Sequence, residues 1–284
     1  MDRHLFPTVV LAVCLGFTSA PSAQQPPLPP GSDPLHRALD QILDVNVRDG
    51  FVYYRAMQGS RGALDRYVAS LNVPAATYNA WTKEAKMAFW VNAYNAFVLQ
   101  TVVNRYPIKG TSSTYPPSSI RQIAGAFDQT KHRAAGRSVT LDEIEKTVLA
   151  EFNEPRLSLA LGRGAVGSGR LRSEAYTAAR LPEQLESIEN EFVTKQRLLK
   201  VDRAAGVVST SAIISWHEAE FVAAYGGKAG EKFASRSPIE RALIAFVTPH
   251  LLPLEKELVD ENRFKVTFQE FDWRLNDLTG GRIN

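Results

Sequence analysis

Acid–base or nucleophilic chemistry needs a side chain that exchanges a proton or attacks near neutral pH, and this chain offers few. Its only cysteine, Cys14, lies in the first 23 residues. Beyond that stretch, no thiolate nucleophile, disulfide or cysteine metal site is expected. Four histidines follow residue 24: His36, His132, His217 and His250. His217 opens His-Glu-Ala-Glu. The second histidine of a zinc-binding His-Glu-x-x-His would fall at Phe221, so that metal reading fails. His217 and Glu220 share a helix face at three-residue spacing. Histidine is the commonest acid–base group, so His217 is a catalytic candidate as well as a structural one. His250 either lines a cavity or faces water. No set of histidines and carboxylates has ligand spacing, and no metal is expected.

Gly162, Gly164 and Gly167 spell Gly-x-Gly-x-x-Gly. A dinucleotide site needs a strand, this turn and then a helix inside a βαβ unit. Gly169-Arg170 delays any helix and no second strand follows at the right distance, so no cofactor is expected. Arg163, Arg170 and Arg172 read either as solvated charges on a tight loop or as parts of an anion site on backbone amides.

Asn92, Tyr94 and Asn95 form the sharpest polar group. They sit inside the longest apolar run after the N-terminal segment, residues 87–103. Asn92 and Asn95 share one helix face, and apolar residues cover the others, so this helix is expected to be buried all round. A buried carboxamide without partners costs roughly 1–3 kcal/mol, so other segments must come to it. Two readings stand. Either the carboxamides pin loops, such as residues 162–169 or the Asp272-Trp273 stretch, or they line a pocket and orient a ligand or oxyanion.

The elements that would position these groups are mostly helical. Asp49-Gly50 is a turn before a short strand at 51–54. Residues 64–71 form an amphipathic helix. Thr82 caps the central helix, which ends before Pro107. A short helix is expected at 120–127 and a hairpin through Ala135-Gly136. Thr140-Leu-Asp-Glu143 is a capping box for a helix to about residue 152. Residues 157–161 read as a short strand or helical turn. A helix with Pro182 in its first turn runs to residue 192. A hairpin follows at 198–209, then helices at 211–225 and 239–247 and a strand at 263–268. This pattern predicts α+β: a mostly helical single domain over residues 35–284 with a few short antiparallel strands.

Ahead of it, residues 1–23 have a basic start, an apolar run too short to span a bilayer, and small residues before Ala23. They read as a secretory signal peptide, with export as the expected fate, secreted or periplasmic. Residues 24–34 form a proline-rich linker. With 284 residues, 44% hydrophobic content and a net charge of +3, the chain gives no footprint for nucleic acid. No transmembrane segment is expected after the signal, because polar insertions interrupt the 87–103 run. The partner class left open is a small molecule or peptide.

Blocks spread through the chain carry a resemblance. Phe89-Trp-x-Asn-x-Tyr-Asn-Ala96, Val139-Thr-Leu-Asp-Glu-Ile-Glu145, Leu159-Ala-Leu with Gly164-Ala165, Trp216-His-x-x-Glu-Phe221 and Phe271-Asp-Trp-x-Leu-Asn276 follow in order. Together they resemble the bacterial "domain of unknown function 547" family, over about residues 35–280. The resemblance implies a distant likeness to papain-like and transglutaminase-like folds. It aligns the family's two cysteines with Arg163 and Ser168, and a family histidine with Lys146. This chain is therefore a cysteine-less variant. It implies a binding or scaffolding domain with a degenerate thiol-enzyme cleft, in which the binding candidates are Asn92, Tyr94, Asn95, Arg163 and Arg172. The alternative is a serine-dependent hydrolase or acyltransferase. Ser168 would be its nucleophile, with Lys146, His217 or His250 as base. Lys146 could serve only if burial lowered its pKa.

Overall fold

The helix Lys83–Val103 runs through the centre of the molecule. In this computed structural model, residues 33–279 are described, together with the backbone of Arg282–Ile283. The expected signal peptide, and all but the last two residues of the expected linker, lie outside the described residues. The central helix starts where Thr82 Oγ1 accepts from the Ala85 amide at 3.2 Å. Every residue from Met87 to Leu99 is buried. Gln58 closes its far end by donating to the Val103 and Tyr106 carbonyls.

The rest of the chain wraps this helix. Helix α1 (Arg37–Asn46) leads into strands β1 (Val47–Arg48) and β2 (Phe51–Val52). Their turn holds Asp49 at φ 47° and Gly50 at φ 86°, the left-handed pair that a two-residue hairpin of the right twist requires. Helices α2 (Tyr54–Gly59), α3 (Gly62–Ser70) and α4 (Ala75–Asn79) precede the central helix, α5. Strands β3 (His132–Ala134) and β4 (Arg137–Val139) pair through Ala135-Gly136 as expected.

The segment after Thr140 departs from expectation. Its capping box is present, with Thr140 Oγ1 accepting from Glu143 N and Glu143 Oε2 from Thr140 N. The single helix it was expected to open is instead α6 (Leu141–Glu143), a π turn at Ile144–Val148 and a 3₁₀ turn at Ala150–Phe152. The expected helix at 120–127 is one 3₁₀ turn, Ile120–Gln122. Helix α7 (Arg156–Leu159) settles the 157–161 stretch as a helical turn.

Helix α8 (Leu181–Thr194) is followed by the hairpin β5 (Leu199–Asp202) and β6 (Val207–Ser211). The expected 211–225 helix is broken at His217 into α9 (Ala212–Trp216) and α10 (Glu218–Tyr225). Helices α11 (Pro238–Val247) and α12 (Pro253–Glu261) complete a crossover to β7 (Lys265–Gln269). Strand β7 pairs parallel to β6, so the strands are not all antiparallel. Only a long connection of this kind lets a chain return in the same direction. Helix α12 went unanticipated because only Leu258 and Val259 of it are buried, too few for a visible period. Strands β8 (Leu278–Thr279) and β9 (Arg282–Ile283) close the chain.

The buried side chains form one continuous core, and the fold is α+β. No helix among the described residues is long and apolar enough to cross a membrane.

Candidate functional site

Two carboxamides of α5 do the positioning. Asn92 donates to the Tyr176 carbonyl at 2.8 Å and accepts from the Tyr176 amide at 2.9 Å. Asn95 donates to the Ala160 carbonyl and accepts from the Gly162 amide. Each behaves as a backbone strand would, holding one end of the 160–176 loop against the helix. The Asp272-Trp273 stretch is held by that loop rather than by the asparagines: Val166 N donates to Arg274 O, and Gly167 N to Asp272 O. Gly167 is required here, because a Cβ would come 2.7 Å from the Asp272 nitrogen. The amides of Gly162, Val166, Gly167 and Ser168 all donate within the protein, so they are not free for an anion. The next helix after this loop begins at Leu181, leaving no helix N-terminus for a dinucleotide.

Arg163 turns inward. It is 1% exposed, and its Nη2 lies 2.5 Å from Glu145 Oε1. Its remaining donors reach the Ser158 and Leu161 carbonyls. The same Glu145 oxygen lies 3.1 Å from His217 Nε2, and Tyr94 donates its hydroxyl to Oε2 at 3.0 Å. An ionised carboxylate only accepts, so the His217 nitrogen facing Glu145 carries its hydrogen. His217 Nδ1 lies 3.4 Å from Glu220 Oε1. The break between α9 and α10 sets this ring direction, and the π turn sits where Glu145 leaves α6.

Burial alone would push the Glu145 carboxyl up. The Arg163 charge and the hydrogen bonds from Arg163 and His217 outweigh it, holding Glu145 well below the usual carboxylate range. Burial, and then the adjacent Glu145 charge, push the Tyr94 hydroxyl well up, so it stays a neutral donor.

The space beside this cluster is small. Glu145, His217, Glu220 and Ser158 border a cavity of about 10 Å³. That is about the volume one water needs, against roughly 300–1,000 Å³ for a ligand pocket. A groove of about 580 Å³ between α1 and α3 shares no residue with it.

The other candidates fall elsewhere. Lys146 has a 65% exposed side chain and pairs with Asp142 at 2.7 Å. Ser168 is buried, and its Oγ has no hydrogen-bond partner, so none of Lys146, His217 and His250 is within hydrogen-bond reach of it. His250 instead meets Asn190 and Glu189. Arg172 donates to Glu174 and Ser187. The sequence reasoning thus placed Tyr94, Arg163 and His217 as separate candidates and missed their hub, Glu145. The signal was present: Glu145 lies three and four residues before Val148 and Leu149, on the face expected to point inward.

Residues 78–193 match the model of the family described as Protein of unknown function, DUF547. Over this segment the chain is similar to that family. No curated protein and no solved structure matches it. The matched segment holds Tyr94, Glu145, Arg163 and Ser168, while His217, Glu220 and the Phe271-Asp-Trp273 stretch come from beyond it. Those later residues stack over the loop. Trp216, 45% exposed, lies 4.8 Å from Phe271 between ring centroids, and the Arg163 guanidinium is 5.8 Å from its ring.

Proposed function

We propose that this chain is an exported binding domain of the DUF547 family that performs no thiol or serine chemistry. The observation that carries it is the closed cluster around Glu145. Where the resemblance aligns a cysteine, Arg163 fills the position with a buried ion pair. Where it aligns a histidine, Lys146 stands in solvent on Asp142. Each polar group of the cluster is engaged with another, and the adjoining cavity has no volume for a substrate. Export is supported by the basic start, short apolar run and small residues of positions 1–23.

The rival is a hydrolase or acyltransferase with Ser168 as nucleophile. A general base must sit about 2.6–3.2 Å from the proton it takes, or one water away. Among the described residues, Ser168 Oγ has no direct hydrogen-bond partner. The two are separated by assaying purified protein on a panel of activated esters and amides, beside Ser168→Ala. The expected result is no turnover that depends on Ser168. Turnover abolished by Ser168→Ala would overturn the non-catalytic reading. Export is checked by mass spectrometry of protein expressed with its full N-terminus: a chain beginning at Gln24 is expected, and an uncleaved cytoplasmic chain is the contrary result.

A further inference from the structure

Beyond Ser168, the chain carries a second polar centre that the Glu145 cluster does not touch. Arg170, Arg172, Arg180, Lys195 and Arg197 gather where the loop meets the end of α8 and the β1–β2 turn. The carboxylates among them are Asp49, Glu174 and Glu191, with Asp40 beside them on the Ala175 amide at 2.9 Å. Arg170 Nη1 is 3.8 Å from Asp49 and 3.5 Å from Glu191. Arg172 is 2.9 Å from Glu174 and 3.6 Å from Glu191. Arg180 meets Glu174 at 2.8 Å, and Lys195 meets Asp49 at 3.2 Å. Arg197 is half-buried and pairs with no carboxylate among the described residues, although it feels Asp49, Glu191 and Arg170. Five cations face four carboxylates, so the centre remains net positive.

Three donors in this centre are buried without a hydrogen-bond partner: Arg170 Nε, Arg197 Nε and the Tyr176 hydroxyl. Tyr176 is 2% exposed, and its hydroxyl sits in the field of Arg170, Arg172, Glu174 and Glu191. Its backbone is fixed in both directions by Asn92, so the ring is held in place. Buried donors normally find acceptors, and three left open beside an excess of positive charge call for an anionic acceptor.

We propose that Arg170, Arg197 and Tyr176, backed by Arg172 and Lys195, form a binding site for a phosphate group. Phosphate, at about −1.5 to −2 charges near neutral pH, is drawn to a net positive centre and offers several acceptor oxygens to donors arriving from different elements. A carboxylate can also accept from three donors but brings one charge rather than nearly two, so it should be held more weakly.

The test titrates inorganic phosphate into the full purified chain by calorimetry, at fixed ionic strength, with acetate and chloride as references. A parallel titration with glycerol phosphate separates free phosphate from a phosphorylated small molecule as the ligand. Saturable one-to-one binding is expected, with a rise in melting temperature that acetate does not reproduce. Arg197→Gln should weaken it by about tenfold, as loss of a charge-assisted donor does. Tyr176→Phe should weaken it severalfold while leaving the melting temperature without phosphate unchanged or higher, since it deletes a buried unpartnered hydroxyl. Should Arg197→Gln fail to fold, Tyr176→Phe carries the test alone. Equal responses to phosphate, acetate and chloride would overturn the site, as would undiminished binding by the variants. Ser168→Ala should bind phosphate as the wild type does, so this outcome is independent of whether the chain proves catalytic.

Discussion

Arg163 is a buried cation whose place in the interior depends on one acid, Glu145. Removing one partner of a buried ion pair costs about 3–5 kcal/mol, because the other charge is left without compensation. Arg163→Met is therefore expected to lower unfolding stability by about that amount. Adding Glu145→Gln should recover much of the loss, because the double variant buries no net charge and the new carboxamide keeps an acceptor for Tyr94. Urea denaturation followed by circular dichroism measures both, and an Arg163→Met variant as stable as wild type would refute the account. At this scale the sequence showed residue types but not partners. Tyr94, Glu145, Arg163 and His217 lie 18 to 123 positions apart, and nothing in the spacing says that they meet.

At the scale of elements, α5 organises the chain through its two asparagines. Asn95→Leu keeps the helix and its apolar faces but strands the Ala160 carbonyl and the Gly162 amide, each at roughly 1–3 kcal/mol. A loss of about 2–4 kcal/mol is expected by that reckoning. Hydrogen exchange should speed up first in residues 160–169, because that loop loses its tether while α5 does not. Uniform acceleration across the protein would argue against the tether. Much of this level was legible beforehand. The caps at Thr82 and Thr140, the Asp49-Gly50 and Ala135-Gly136 turns and the buried run of α5 all follow from local rules. The π turn at Ile144–Val148 and the break at His217 were not, because both interrupt sequences with good helical period. Both occur where a side chain joins the Glu145 cluster.

For the whole molecule, acid should be destabilising through groups far apart in the fold. Burial lowers His36 to about 4, against a smaller opposing effect of Asp33, and lowers His132 to about 4. Both take protons near 6.5 once unfolded. Between these values the unfolded chain binds protons that the folded chain refuses, so stability is full above about 6.5 and falls as the pH drops towards 4. Glu145 has the same sign further down, since its depressed carboxyl favours the folded state until the ordinary carboxylate range is passed. His132 stacks on Phe97 at 4.3 Å, and its Nε2 has no partner. His132→Phe should therefore hold or raise stability at pH 8 and flatten the loss between pH 6.5 and 4, as read from denaturation midpoints across that range. An unchanged slope would show that His132 takes its proton while folded.

Taken alone, the sequence determined what depends on near neighbours along the chain: the α+β class, the caps, the hairpin turns and a central helix whose asparagines had to find partners. Hydrogen-bond satisfaction and hydrophobic period act within a few residues, so they can be read in order. The tertiary structure alone decided which partners those were, the parallel return of β7 beside β6, and the placing of Arg163 against Glu145 and His217. It also decided that Ser168 is without a base within hydrogen-bond reach and that unpaired donors gather around Tyr176. These are long-range pairings, set by how the loops close over the core, and a charged or polar side chain has the same appearance in sequence whether it ends in solvent or in an ion pair.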